Sequence, residues 1–186
     1  MQRKNWFQLM CLMFVLLPSL AFAATVAEIN QGSIDRANAT KATKPTVEMV
    51  MERVNAGVAL INKEGRAAFD KFKGADSKFI YAGTYIWIHS PTTGEMLMHP
   101  MKPKLEGKNV NPLRDRAGKL LFVEFNRVAT ENGSGWVSYM WPKPGEKKPS
   151  MKVSYVKLAE HNGEKFVVGS GVYDITLAEI NKALGK

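Results

Sequence analysis

Residues 79–99 read FIYAGTYIWIHSPTTGEMLMH, a stretch with a two-residue repeat interrupted by one turn. Phe79 to His89 is dense in β-branched and aromatic residues, which favour strands. Pro91 to Gly94 has the composition of a turn, and Glu95 to His99 resumes the strand pattern. The stretch therefore predicts a β-hairpin.

Alternation within the first strand divides its side chains between two faces. Tyr85, Trp87 and His89 fall on one face, and Ile86 and Ile88 fall on the other. The aliphatic face suits packing against a helix. The aromatic face needs a cover of its own, and the loop over residues 98–112 is the nearest candidate.

A helical pattern precedes the hairpin. Between Thr46 and Gly74, apolar residues recur at helical spacing, namely Val47, Val50, Met51, Val54, Val58, Ile61, Phe69 and Phe72. Thr46 can cap the start and Gly74 can end the helix, so the pattern predicts one long amphipathic helix. Residues 24–44 are polar and small, and they predict a weak helix or a lead segment that orders only when it packs.

Three more strand-like runs follow, at residues 135–141, 152–160 and 165–173. Turn sequences containing Pro144-Gly145 and Asn162-Gly163 separate them. Helical patterns occupy residues 119–130 and 176–184. The predicted fold class is α+β, with a long N-terminal helix packed on an antiparallel sheet of about five strands and a short C-terminal helix.

The N-terminus has the pattern of an export signal. Arg3 and Lys4 precede an apolar run from Trp6 to Phe22, and Ala21-Phe22-Ala23 supplies a cleavage pattern. We expect residues 1–23 to be removed and the protein to be periplasmic or secreted. An uncleaved anchor helix and a lipoprotein are the alternatives, but Pro18 argues against the first and the early position of Cys11 against the second.

Composition limits the function classes. Cys11 is the only cysteine and lies in the export signal, so the mature chain would have no disulfide, thiolate metal site or cysteine nucleophile. The formal net charge is +9, which in a cytosolic protein would suggest nucleic acid as a partner. Export argues against nucleic acid and favours a small organic anion or an anionic membrane surface as the partner. A merely solvated lysine surface is the alternative.

Aromatic residues mark a candidate binding site. Val137, Tyr139 and Trp141 share one face of their strand, so we expect two neighbouring strands to line a concavity with aromatic walls. Rings with polar tips beside lysines suit a small carboxylate, although the same residues could form an ordinary aromatic core. His99 lies at a strand end, whereas His89 and His161 lie beside turns and are expected to be exposed.

Catalytic and metal-binding patterns are absent from the sequence. The three histidines have no metal-ligand spacing, and no nucleophile elbow, phosphate-binding loop or dinucleotide fingerprint occurs. We therefore predict no cofactor, no metal and no enzymatic activity.

Several spaced motifs resemble one known family. The runs GEMLMHP (94–100), LEGKNV (105–110), GWVSYMWPKP (135–144), KVSYVK (152–157) and GSGVY (169–173) are similar to the signature of the single Cache domain, type 2. The resemblance covers residues 45–184 and implies a curved, PAS-like antiparallel sheet behind a long helix. Members are extracytoplasmic ligand-sensing modules of chemoreceptors, histidine kinases and free-standing secreted proteins, and small carboxylates recur among their ligands.

The resemblance also implies a pocket. By position it would be formed by Tyr85, Trp87, His99, Trp136, Tyr139, Trp141, Lys152 and Tyr155. In a regular strand, however, Lys152 and Tyr155 would face opposite sides, so one of them is misassigned unless a β-bulge intervenes. A single acidic residue, Asp174, follows Tyr173, where family members often have two.

The leading hypothesis is an extracytoplasmic protein that binds a small carboxylate reversibly, with Lys152 and His99 neutralising the ligand. Its partner would be a membrane chemoreceptor or a histidine kinase. The alternative is a protein-interaction module that docks on such a sensor without a metabolite of its own. A small hydrolase of unrecognised type is a third, minor hypothesis.

Overall fold

The computed structural model describes residues 24–186. The predicted export signal, residues 1–23, lies outside the described residues. Four α-helices are present in the described part, namely α1 (Val26–Thr40), α2 (Val47–Glu64), α3 (Leu121–Asn132) and α4 (Leu177–Ala183). None of these helices is long and apolar enough to cross a bilayer.

Within the same residues, seven strands form two antiparallel sheets. They are β1 (Ile80–Tyr81), β2 (Thr84–Tyr85), β3 (Trp87–His89), β4 (Met96–Met98), β5 (Ser134–Pro142), β6 (Pro149–His161) and β7 (Glu164–Tyr173). β1 and β2 make a small hairpin, and the other five strands form one sheet in the order β4-β3-β7-β6-β5. The predicted α+β class, the β3–β4 hairpin and the five-stranded sheet are confirmed.

A two-residue turn sets the register of the central strands β6 and β7. Asn162 and Gly163 have φ values of 52° and 80°, the left-handed backbone that suits tight hairpin turns. From this turn the pairing runs without interruption from His161 opposite Glu164 to Lys152 opposite Tyr173. The turn therefore determines which side chains meet across the middle of the sheet.

Helix α2 covers one face of the sheet. Its buried residues Val50, Val54 and Ile61 pack with Ile86 and Ile88, as the alternation predicted. Close approach requires a glycine at position 57, since a Cβ there would lie 3.2 Å from side-chain atoms of Ile86, Phe72 and Val168.

The α-helix ends earlier than the sequence pattern predicts. It stops at Glu64, and residues 65–72 continue as a 3-10 helix. Gly65 has a φ of 57°, a conformation that interrupts an α-helix. A Cβ at this position would also lie 2.5 Å from the His161 ring. The apolar pattern nevertheless continues because Ala68 and Phe72 reach the same core.

Helix α3 covers the other face, where Phe122, Phe125 and Val128 form a second core with residues of the sheet. Within the lead segment, α1 begins with a capping box between Thr25 and Glu28. Arg36 of α1 donates to the carbonyl oxygen of Ile80. The sheet is thus a middle layer with a separate core on each side.

Glycines in β7 make room on the α3 side of the sheet. A Cβ at Gly169 would lie 2.4 Å from the Trp87 indole, and one at Gly171 would lie 2.1 Å from Ser154 Oγ. These contacts are too short for any side chain, so the indole of Trp87 lies directly over the backbone of its paired strand.

Gly169→Ala should therefore destabilise the protein by about 1–3 kcal/mol, as overpacking does. In a Trp87→Phe background the cost should be smaller, because the single ring lacks the indole atoms nearest to Gly169. Urea unfolding of the two single variants and the double variant measures this coupling. An equal cost in both backgrounds would contradict the proposed contact.

Candidate functional site

Polar and aromatic side chains cluster on the α3 side of the sheet. Six of the eight predicted site residues lie there, each of them buried: Tyr85, Trp87, His99, Tyr139, Trp141 and Lys152. They come from β2, β3, β5, β6 and the segment after β4. The cluster therefore assembles residues from distant parts of the chain.

Lys152 occupies the middle of this cluster and is fully buried. Its Nζ lies 4.2 Å from the ring centroid of Tyr85, 4.6 Å from that of Tyr173 and 5.4 Å from that of Trp87. Within residues 24–186, Nζ is the one buried side-chain nitrogen or oxygen without a hydrogen-bond partner. Burial lowers the pKa of Lys152 well below its ordinary value.

His99 has a defined orientation next to Lys152. Its Nδ1 accepts hydrogen bonds from the backbone N–H of Met101 (3.3 Å) and of Lys102 (3.0 Å). In the neutral ring the proton is therefore on Nε2, which is a donor. Burial lowers the pKa of His99 well below its usual range, and the positive charge of Lys152 lowers it further.

Hydroxyl and indole groups add further donors. Trp141 Nε1 donates to Tyr85 Oη at 2.9 Å, and the hydroxyls of Tyr139 and Ser154 are hydrogen-bonded at 3.0 Å. Burial raises the pKa of Tyr85 to about 12 and that of Tyr139 well above its usual value. Both phenols stay protonated at neutral pH and keep their donor capacity.

The space between the aromatic rings of the cluster is small. A cavity of about 10 Å³ is lined by five of the predicted residues and by Leu121, Phe122 and Phe125 of α3, and Lys152 is not among its lining residues. This volume is about that of one water molecule. The rings therefore fill most of the space between the sheet and α3, and a ligand of several atoms requires the cavity to widen.

Two predicted site residues lie elsewhere. Trp136 and Tyr155 are cross-strand partners with ring centroids 5.3 Å apart, and they pack on the α2 side. The pairing of β6 is regular between Lys152 and Tyr155, without the β-bulge that would bring both to one face. The predicted set of eight is thus divided between two faces.

The expected contact of neighbouring strands is also corrected. The strands carrying Trp87 and Trp141 are not adjacent, because β7 and β6 lie between them. Trp141 of β5 instead meets Tyr85 of β2, through the hydrogen bond from its Nε1 to the Tyr85 hydroxyl.

The prediction that His89 is exposed was wrong. It is fully buried, its Nδ1 accepts from Trp87 Nε1 at 3.2 Å, and its Nε2 lies 2.8 Å from Asn126 Oδ1. Burial lowers its pKa to about 4. The turn beside His89 is at the surface, but α3 packs over the histidine itself.

Tyr173 is a site residue that the sequence pattern did not predict. It is directly opposite Lys152 in the β6–β7 pairing. Counting back from the Asn162-Gly163 turn would have paired the two residues, because a two-residue turn determines the register of a hairpin.

Tyr173 also lies at the protein surface. It lines a surface cleft of about 240 Å³ together with Lys41, Lys44 and Lys143. Its hydroxyl donates to the carbonyl oxygen of Pro142 at 3.0 Å. Among the three rings around Lys152, this is the one that separates the cluster from the cleft.

Across residues 24–186, no group of histidine, cysteine, aspartate and glutamate side chains is arranged to hold a metal ion.

Comparison with known proteins identifies the family. A Cache domain model matches residues 76–184, more than half of the chain. The chain belongs to the Cache domain family. A solved periplasmic sensor domain of a chemotaxis protein is 33% identical, with a TM-score of 0.52, and the match covers 82% of this chain and 100% of that one.

Other Cache relatives agree. The methyl-accepting chemotaxis protein McpP of Pseudomonas putida is 39% identical over 101 residues, which are 54% of this chain and 18% of that protein. This Cache chain thus matches less than a fifth of the receptor's length. A Cache chemosensory domain solved for carboxylic acid recognition is 27% identical, with a TM-score of 0.53, over 80% of this chain and 93% of that one.

Replacing the buried amine should stabilise the protein. Lys152→Met keeps the length of the side chain without the cost of burying an unpaired charge, so we expect a gain of roughly 1–4 kcal/mol at pH 7. Because the pKa of Lys152 is lower in the folded state, the lysine reduces the free energy of unfolding. This loss becomes smaller as pH rises toward the unfolded-state pKa of about 10.4. The advantage of the variant should therefore shrink between pH 7 and pH 9.

Urea unfolding at both pH values measures the difference, and Lys165→Met, at an exposed position on β7, is the matched control. The control should change stability by less than about 0.5 kcal/mol. A Lys152→Met protein less stable than the wild type at pH 7 would show that the amine contributes favourably to the unliganded fold.

Proposed function

We propose that this Cache domain binds a small carboxylate at the Lys152 cluster, outside the cytoplasm, as a sensing module. The observation that carries the proposal is the buried Nζ of Lys152, which has no hydrogen-bond partner in residues 24–186. A buried cationic group without a partner is costly to the fold. An anionic ligand would supply the missing acceptor and offset that cost.

The cluster has the chemistry to hold both ends of such a ligand. Lys152 would pair with the carboxylate, with further hydrogen bonds from His99 Nε2 and a tyrosine hydroxyl. The rings of Trp87, Trp141 and Phe125 would enclose a short carbon chain. We leave Trp136 and Tyr155 out of the proposed site, since they pack on the other face.

The comparisons with known proteins support a sensory role outside the cytoplasm. One neighbour is a periplasmic sensor domain of a chemotaxis protein, and another recognises carboxylic acids. We propose cleavage after residue 23, a sensory domain over residues 45–184 preceded by the lead segment, and reversible binding without turnover. A membrane chemoreceptor or a histidine kinase is the proposed partner.

A second function has one observation in its favour. The cavity of about 10 Å³ is smaller than any carboxylate, as expected if the aromatic cluster were only a core. The protein would then act as an interaction module that docks on a membrane sensor without a metabolite.

A ligand screen distinguishes these functions. Acetate, propionate and butyrate, compared with acetamide and propionamide, should raise the unfolding midpoint only when the ligand is charged. The stabilisation should reach about 2.7 kcal/mol at a hundred times Kd. Lys152→Met should abolish the shift, and Lys165→Met should retain it.

No shift with any carboxylate, combined with co-purification of a membrane sensor, would favour the interaction module instead.

We further propose that the ligand enters from the cleft beside Tyr173. Glu146 and Asp174 also line this cleft, and Asp174 is paired with Lys143. Lys41 and Lys44 are therefore the lysines that would attract an anion, and movement of the Tyr173 ring would open the way to Lys152. Tyr173→Phe keeps the ring but removes its hydrogen bond to Pro142.

The variant should raise the association and dissociation rates together, each by about fivefold, because one hydrogen bond is worth about 1 kcal/mol. Stopped-flow tryptophan fluorescence with propionate measures both rates. Unchanged rates would place the entrance elsewhere.

A further inference from the structure

The surroundings of Lys152 contain no compensating charge. None of the ion pairs of the described residues includes it. The titratable groups that face it are Tyr85 of β2, Tyr139 of β5, Tyr173 of β7 and His99. The ammonium group of Lys102 lies over the ring of Trp141, 5.5 Å from its centroid. Helix α3 lines the cavity with Leu121, Phe122 and Phe125, which carry no charge.

The faces of three rings are the main stabilisation available to an ammonium at this position. Cation–π contacts are worth about 2 kcal/mol at best when desolvated. Desolvation of an unpaired ion costs several kcal/mol even after the protein relaxes. A neutral amine avoids most of this cost, so the unliganded cluster favours the form of Lys152 without its extra proton.

A bound carboxylate reverses the balance. Next to an anion at hydrogen-bond distance, the ammonium gains a charge-assisted hydrogen bond in a medium of low dielectric constant. We propose that ligand binding is coupled to the uptake of one proton by Lys152, so that an amine in the empty site becomes an ammonium paired with the carboxylate. This inference rests on the proposed function, since it concerns the same site.

The charges and the proton balance in this step. The ligand arrives as RCOO⁻, one proton is taken from solvent, and the amine becomes an ammonium that donates to the carboxylate. The net charge of the buried cluster is zero before and after. A dicarboxylate such as succinate would bring a second negative charge. The cluster has no second group that could take up a proton to balance it.

His99 is not the proton acceptor. Its Nδ1 already accepts two backbone N–H groups, and protonating that nitrogen would break both hydrogen bonds. The nearby positive charge of Lys102 opposes a second proton on the ring as well.

Calorimetry of the purified protein with propionate tests the coupling. Titrations at pH 8 in phosphate and in Tris, whose ionisation enthalpies differ, report the number of protons taken up. We expect close to one proton per ligand, and a Kd that rises about tenfold per pH unit between pH 7 and pH 9, as proton linkage requires. Binding without proton uptake, with a Kd independent of pH, would overturn the inference and leave the proposed function intact.

Two variants assign the proton. His99→Asn should retain the uptake, whereas Lys152→Arg, which is charged at every accessible pH, should lose it in any binding that remains. Loss of uptake in His99→Asn with wild-type affinity would assign the proton to His99 and overturn the proposal.

A direct titration works without a ligand. In protein labelled with ¹³C-lysine, the Cε signal of Lys152 is the one missing from Lys152→Met. Its midpoint in the empty protein should lie well below the ordinary lysine value of about 10.4. An ordinary midpoint would overturn the inference, whereas a low midpoint with no carboxylate binding would contradict only the proposed function.

Discussion

The buried amino group of Lys152 is the constraint around which the α3 side of the sheet is organised. A lysine on a central strand cannot reach solvent when both faces of the sheet are covered. Its Nζ is surrounded by Tyr85, Trp87 and Tyr173, which offer negative ring faces instead of water. Gly169 and Gly171 give the neighbouring groups room to approach the sheet. Such an arrangement costs stability, and proteins commonly retain that kind of cost at functional sites.

The two faces of the sheet have different roles. On the α2 side, aliphatic residues such as Val54, Ile86 and Val168 form an ordinary core, and the glycine at position 57 lets the helix approach closely. On the α3 side, hydroxyl, indole, imidazole and amine groups lie among the rings. The polar groups are therefore concentrated on the α3 side, and the α2 side remains largely apolar.

Membership of the Cache family and the chemistry of the cluster both support the proposed carboxylate ligand. Similar solved structures include a periplasmic sensor domain of a chemotaxis protein and a Cache chemosensory domain that recognises carboxylic acids. The cluster itself has donors in excess of acceptors, with one ammonium-forming group and no carboxylate paired to it. Because the cavity has a volume of only about 10 Å³, the proposed recognition would require movement of side chains. Tyr173 lies between the cluster and the surface cleft, where such movement would open the cluster to solvent.

Local sequence determined most of the helices and strands, their faces and the family. It did not predict that residues 79–89, expected to be one strand, divide into β1, β2 and β3. A two-residue alternation is a property of any extended chain, so the order of residues alone assigns Tyr85 and Trp87 to one face and Ile86 and Ile88 to the other. The same alternation assigns Lys152 and Tyr155 to opposite faces of the sheet, because they are three positions apart in one strand. Strand order was decided only by the tertiary structure, because β7 and β6 insert between strands that are nearer each other in the chain. Packing of α3 then decided that His89 is buried and how little space remains between the aromatic rings. Such quantities depend on how distant segments meet, which no local pattern of residues encodes.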